Sequence, residues 1–338
     1  MRNIWKGALA AAAMFAIAGA SLPVQAQSDC GTDKKIDIAE MTWASAAALA
    51  RVHAHILADG FGCNVEVVAG DTVPTSASML SKGTPAIAPE LWTSSIQEQW
   101  KKGMADGKVA ELGDSFAGGG VEGWFIPEYF HEAHPELKTA EDVIAHPELF
   151  ADPEDPGKGR LYSCPPGWAC EIANSALFEA YDMADKGWNL FSPGSGGNLD
   201  ASISRAFLRE EPIFFYYWGP TAILGKYPSY ALELPAVDQA GYECNTNPDC
   251  DNPPVKTAWP SSPIKIGVAN WIKTDAPNVA DYLAGTTMDR DTVSQMVAWG
   301  DDNKADAEAT AIHFLKENED VWTKWVTPEI AEKVKAAL

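Results

Sequence analysis

From residue 36 onward the chain alternates strand-like and helix-like runs, and that alternation leaves few folds open. IDIAE at 36–40 is a short apolar run, and SAAALARVHAHILADGFG at 45–62 is alanine-rich, apolar at helical spacing and closed by glycine. The next strand reads at 64–69, a shorter helix near 75–82, and a third short strand at 86–88. Strand-like runs recur near 122–126, 159–163, 213–217 and 264–269, with helices at about 169–183 and 198–210 between them. From residue 275 the sequence reads as helical to its end, with Pro277 and Pro328 placed as first-turn residues. Repetition of this kind builds mainly parallel sheets covered by helices, so the class is α/β.

The segment before this pattern, MRNIWKGALAAAAMFAIAGASLPVQA, has Arg2 and Lys6, an apolar run, and Val24 and Ala26 at the −3 and −1 positions of a cleavage site. It reads as a cleavable signal peptide at 1–26, too short in its apolar part to span a bilayer. Loss of Arg2 and Lys6 would move the formal charge from −22 to −24, which argues against nucleic acid and anionic membrane as partners. All six cysteines lie beyond the leader, an even number suited to an oxidising compartment. Proximity pairs Cys164 with Cys170 and Cys244 with Cys250, leaving Cys30 with Cys63, each just ahead of a strand-like run. None of the spacings is the C-x-x-C of a zinc site.

Some 312 residues beyond the leader exceed what one core serves comfortably, so two lobes are expected. Composition marks two crossings between them, AGGGVEG at 117–123 and AWPSSP at 258–263. The lobes are then 27–121 plus 264–338, a discontinuous first lobe, and 122–263, a second lobe carrying a disulfide-braced hairpin insertion at 241–254. Two adjacent crossings are the arrangement that hinge closure around a ligand requires.

Several of the tryptophans sit where a strand ends: Trp43 in AEMTWAS, Trp92 in PELWTSS, Trp124 in VEGWFIP, Trp168 in PPGWACE and Trp218 in YYWGP. Ligands of open α/β sheets bind outside the carboxyl ends of the strands. Indole faces converging there would form a cage for a weakly hydrated cation, with a trimethylammonium group as the expected guest. Ordinary core packing is the competing explanation for any single one of them.

ELWTSS, CPPGWACE and FFYYWGP, in that order and at these separations, resemble the periplasmic substrate-binding proteins of glycine betaine, proline betaine or choline type ABC transporters (OpuAC/ProX-like). The resemblance implies a two-lobed periplasmic binding protein fold and a tryptophan box of Trp92, Trp168 and Trp218, with Trp43 where choline-binding relatives carry a cage tryptophan. It also implies that backbone N–H groups of the turn from Gly167 through Ala169 and Cys170 hold a ligand carboxylate. Ile96 stands where some members place a histidine on that carboxylate, a departure from the glycine betaine pattern. Glu90 before Trp92 and Glu122 before Trp124 could instead balance a guest without a carboxylate, or share a proton with an N-oxide oxygen, which brings in choline and the trimethylamine N-oxide branch. In a strand Glu122 and Trp124 share a face, and Glu90 and Trp92 do so if that strand persists.

GYECNTNPDCDNPP at 241–254 places Asn245, Asn247, Asp249 and Asp251 at alternate positions, a candidate structural calcium loop that lacks the glycine and distal glutamate of an EF-hand. A braced turn rich in Asn and Pro explains the same residues. FHEAHPE has H-E-x-H spacing, SPGSGGN lacks the Lys-Ser/Thr of a phosphate loop, and nothing pairs a nucleophile with a base, so no enzyme and no required cofactor is read. The expectation is a monomeric periplasmic solute-binding protein that delivers a small methylated amine to an ABC permease and its ATPase at the inner membrane. An exported module stacking sugars on tryptophan is the competing class.

Overall fold

The computed structural model describes Met1 and residues 29–338 apart from Pro220 and Pro248; the leader read at 1–26 lies, Met1 aside, outside the described residues. Among the described residues no helix is long and apolar enough to cross a membrane.

The first sheet contains β1 (Ile36–Met41), β2 (Val65–Gly70), β3 (Ile87–Trp92), β4 (Val109–Asp114) and, from much later in the chain, β10 (Ile264–Ala269), in the order β2-β1-β3-β10-β4. The second holds β5 (Val121–Pro127), β6 (Gly159–Tyr162), β7 (Trp188–Phe191), β8 (Phe214–Gly219) and β9 (Ser229–Ala231), in the order β7-β6-β8-β5-β9. Both sheets follow one plan. Three neighbouring strands are parallel, and the fourth position is taken by a strand antiparallel to both its neighbours, β10 in one sheet and β5 in the other. These two reversed strands are the ones that directly follow a crossing. Helices cover the sheets, which is why all six residues of β3 are buried on both faces.

The crossing segments lie side by side, with Gly120 N–H donating to Ser262 O (2.8 Å) and Ser262 N–H to Gly120 O (3.2 Å). Glycine is required in this stretch: Gly119 has φ +65°, and a Cβ there would lie 2.5 Å from Ser262 O.

The helix read at 45–62 ends earlier as an α-helix, at Ala44–His55, and continues as a π-turn over Ile56–Gly60. A Cβ at Gly60 would meet Ile330 Cγ2 at 2.7 Å, so the C-terminal helix Pro328–Ala337 packs directly on that turn. The cysteines are bonded as Cys30–Cys63, Cys164–Cys170 and Cys244–Cys250. The expected hairpin at 241–254 is not formed. A helix, Gln239–Asn245, occupies its first part, because Asp238 caps it by accepting from Gly241 N–H (3.0 Å) and Tyr242 is buried beneath it.

Candidate ligand-binding site

The carboxyl ends of β1, β3, β6 and β8 meet between the two sheets, and each delivers one indole. Trp43 follows β1 and is the residue before the helix Ala44–His55; Trp168 stands in the same relation to the helix Ala169–Ala180; Trp92 ends β3 and Trp218 is next to last in β8. Trp168 meets Trp43 edge-on with centroids 5.2 Å apart and an interplanar angle of 72°, and meets Trp218 at 5.0 Å and 83°. Tyr217 stacks behind Trp218 at 4.4 Å. The four indoles, with Tyr216 and Glu122, line a small cavity of about 30 Å³. A larger open cleft of about 890 Å³ has Trp43 and Trp218 among its lining residues as well.

The disulfide-closed turn places Trp168 by several bonds. Gly167 has φ +89°, its N–H donates to Glu171 Oε2 (2.9 Å), and its carbonyl accepts from Val73 N–H (3.0 Å) across to the other sheet's side. Trp168 Nε1–H donates to Thr42 Oγ1 (2.7 Å), and that hydroxyl donates to Asp71 Oδ1 (2.6 Å). Of the turn's candidate donors, Gly167 is thus already engaged, while Ala169 and Cys170, at the positive end of their helix, line the cavity.

Trp124 is not brought to the cavity. It is fully buried against Tyr181, Phe214 and Trp259, and its Nε1–H donates to Asn174 Oδ1 (2.7 Å) while Asn174 Nδ2 donates to Cys170 O (3.0 Å). It braces the turn from behind. The reason is strand direction: β5 starts at the crossing and runs away from the cleft, so Glu122 stays at the cavity while Trp124, two residues on along the same face, goes into the core.

The two carboxylates take different places. Glu122 Oε1 accepts from Tyr216 O–H (2.6 Å), its Oε2 is buried without a partner, and the residue lines the cavity. Burial pushes its pKa from 4.5 up to about 7, against the lowering effect of the Tyr216 bond. Glu90 is fully buried behind the indoles, where Oε1 accepts from Trp43 Nε1–H (2.6 Å), Trp92 Nε1–H (3.0 Å) and Ser45 O–H (3.1 Å). Burial raises its pKa to about 7 despite those three donors. Among the described residues no lysine, arginine or histidine lines the cavity.

Tyr216, which orients Glu122, escaped the sequence reading although period two in FFYYWG puts it on the face of Trp218. Ile96 is buried outside the cavity. In the 239–255 segment, the Asn245 amide is committed to the Val255 backbone in both directions (2.8 and 2.9 Å) and Asn247 Oδ1 accepts from Asp249 N–H (3.0 Å). Among the described residues no group of three or more His, Cys, Asp or Glu could hold a metal ion.

Two sheets of one plan, crossed twice by the chain and joined over an aromatic cavity at their carboxyl ends, define a two-lobed solute-binding protein, a class that binds and does not catalyse. The chain belongs to the family described as the substrate binding domain of ABC-type glycine betaine transport system, whose model matches residues 34–317. A curated relative, the glycine betaine/proline betaine-binding periplasmic protein of Escherichia coli K12, is 23% identical over 143 residues, a match that spans 42% of each chain. Three solved structures share the fold. One is the glycine/betaine/L-proline-binding protein of Borrelia burgdorferi (TM-score 0.69, 15% identity, 89% of this chain and 100% of that one). Another is an ABC-transporter choline binding protein in complex with choline (0.70, 18%, 91% and 98%). The third is a lactococcal protein in its closed conformation with glycine betaine (0.65, 19%, 87% and 99%).

Proposed function

We propose that this chain is the extracytoplasmic solute-binding protein of an ABC importer and captures a small methylated amine osmolyte, trimethylamine N-oxide or glycine betaine, between its four indoles. The observation that carries the reading is the ring of Trp43, Trp92, Trp168 and Trp218 around a cavity to which the described residues bring no cationic side chain and one carboxylate, Glu122. Indole faces attract a methylated cation, which loses little solvation on entering. Permease and ATPase at the inner membrane are the partners that the family implies, and a periplasmic location follows from the same reading.

Within this class the compact N-oxide is favoured over glycine betaine. The space is small, Gly167 N–H is already taken by Glu171, and Glu122 has a carboxyl oxygen free to share a proton with an N-oxide oxygen. Ala169 and Cys170 leave a carboxylate pose open for glycine betaine. Choline and dimethylsulfoniopropionate are the remaining candidates. Calorimetric titration of the leader-free protein with trimethylamine N-oxide, glycine betaine and choline ranks them. The N-oxide binding tightest supports the Glu122 contact, glycine betaine binding tightest moves the ligand oxygen to the turn, and binding of none refutes the cage.

A further inference from the structure

Glu90 is fully buried, with no cationic group among its bonded partners, and yet three donors converge on one of its oxygens. Two of them are indole N–H groups of cage walls from different strands: Trp92, two residues along β3 on the same face, and Trp43, which follows the adjacent strand β1. The third is Ser45, in the first turn of the helix that Trp43 precedes. Glu90 itself does not line the cavity.

An indole is negative on its face and positive around its edge, most strongly at the N–H. A cage for a cation works only if the N–H edges point away from the guest. Trp43 and Trp92 could satisfy their N–H groups by rotating toward the cavity, where they would present a donor to the guest and spoil the attraction. A shared acceptor behind the rings prevents this. An N–H bonded to a carboxyl oxygen also sends electron density into the ring, which strengthens the face toward a cation.

We propose that Glu90 is a positioning residue of the cage, holding Trp43 and Trp92 by their indole N–H groups so that their faces, and not their edges, meet a methylated cationic guest. The inference rests on the proposed function for its guest, but the placement of the indoles is measurable without one.

The test compares Glu90→Gln, whose amide oxygen still accepts from both indoles, with Glu90→Leu, which has no acceptor. Two readouts are taken: the indole ¹H–¹⁵N resonances of the guest-free protein, assigned with Trp43→Phe and Trp92→Phe, and calorimetric affinity for trimethylamine N-oxide and tetramethylammonium. Hydrogen bonds to a charged or strongly polar acceptor contribute enough that losing two should weaken guest binding roughly tenfold to hundredfold in Glu90→Leu. Glu90→Gln should stay within about threefold of the parent protein. The two assigned indole protons should sit downfield in the parent protein and in Glu90→Gln, and move upfield in Glu90→Leu. Unmoved indole resonances in Glu90→Leu overturn the proposal, as does Glu90→Leu binding like the parent protein or Glu90→Gln binding as weakly as Glu90→Leu. If the parent protein binds neither guest, the proposed function fails, and the resonances alone still decide whether Glu90 holds the indoles.

Discussion

Replacing Trp168 by alanine removes the residue on which both sides of the cavity converge. Its ring stands edge-on to Trp43 on one side and Trp218 on the other, and its Nε1–H reaches Thr42 Oγ1 at 2.7 Å. A desolvated cation–π face contributes about 2 kcal/mol. The bond to Thr42, which ties the turn to the end of β1, adds about 1 kcal/mol. Together these put the loss of guest affinity at roughly 100-fold. Unfolding free energy should suffer less, because Trp168 lies at the seam between the sheets and already borders a cavity on one side. A melting-temperature drop of no more than about 5 °C is expected for the guest-free protein. The assay is paired calorimetry: titration with the guest that the parent protein binds tightest, and a thermal scan without it. Parent-like affinity with a large fall in melting temperature would show Trp168 to be a core residue and not a wall of the site.

Trp124→Ala should show the reverse balance, costing about 3–5 kcal/mol of unfolding free energy as a buried aromatic deletion; denaturant unfolding at parent stability would contradict its assignment to the core. Gly120→Ala should weaken guest binding, since its Cβ would lie 2.2 Å from Trp92 Cη2 and push that wall inward; unchanged affinity by titration would contradict the packing. Glu90, with its pKa raised from 4.5 to about 7, keeps its proton in the folded state where the unfolded chain has lost it. Guest-free stability should therefore fall as pH rises from about 4.5 to about 7, by roughly 3 kcal/mol for this group. Glu90→Gln should reduce that slope, leaving the share that Glu122 contributes in the same window, and an identical slope in the variant would show that Glu90 does not titrate there.

Much of the scaffold was legible because buried strands are continuous apolar runs. IDIAEM and IKIGVA announce β1 and β10, which sit inside the first sheet, and FFYYWG announces β8 inside the second. The strands that escaped are β4, β7 and β9, all at sheet edges, where VAELGD is largely half-exposed and SYA has only three residues. The site was legible where a tryptophan follows or ends a strand pointing at the cleft, as Trp43, Trp92, Trp168 and Trp218 do. It misled at Trp124, since sequence does not reveal that β5 runs the other way. In the 241–254 stretch, alternating oxygen side chains suggest a cation loop, and that the Asn245 amide bonds the Val255 backbone in both directions needed the fold. Glu90 was visible as an acid beside Trp92; that it gathers two indoles and a serine needed the register of β1 against β3.

On this reading the cavity selects positive charge on a methylated centre and not merely its shape. Trimethylamine N-oxide and tert-butanol test this directly, since both carry three methyl groups and one oxygen on a central atom that is cationic only in the former. With several indole faces each contributing about 0.5–2 kcal/mol toward a cation, calorimetry should give the N-oxide at least about a 100-fold advantage. Equal affinities for the two would contradict the cage and leave the four tryptophans as an ordinary apolar seam.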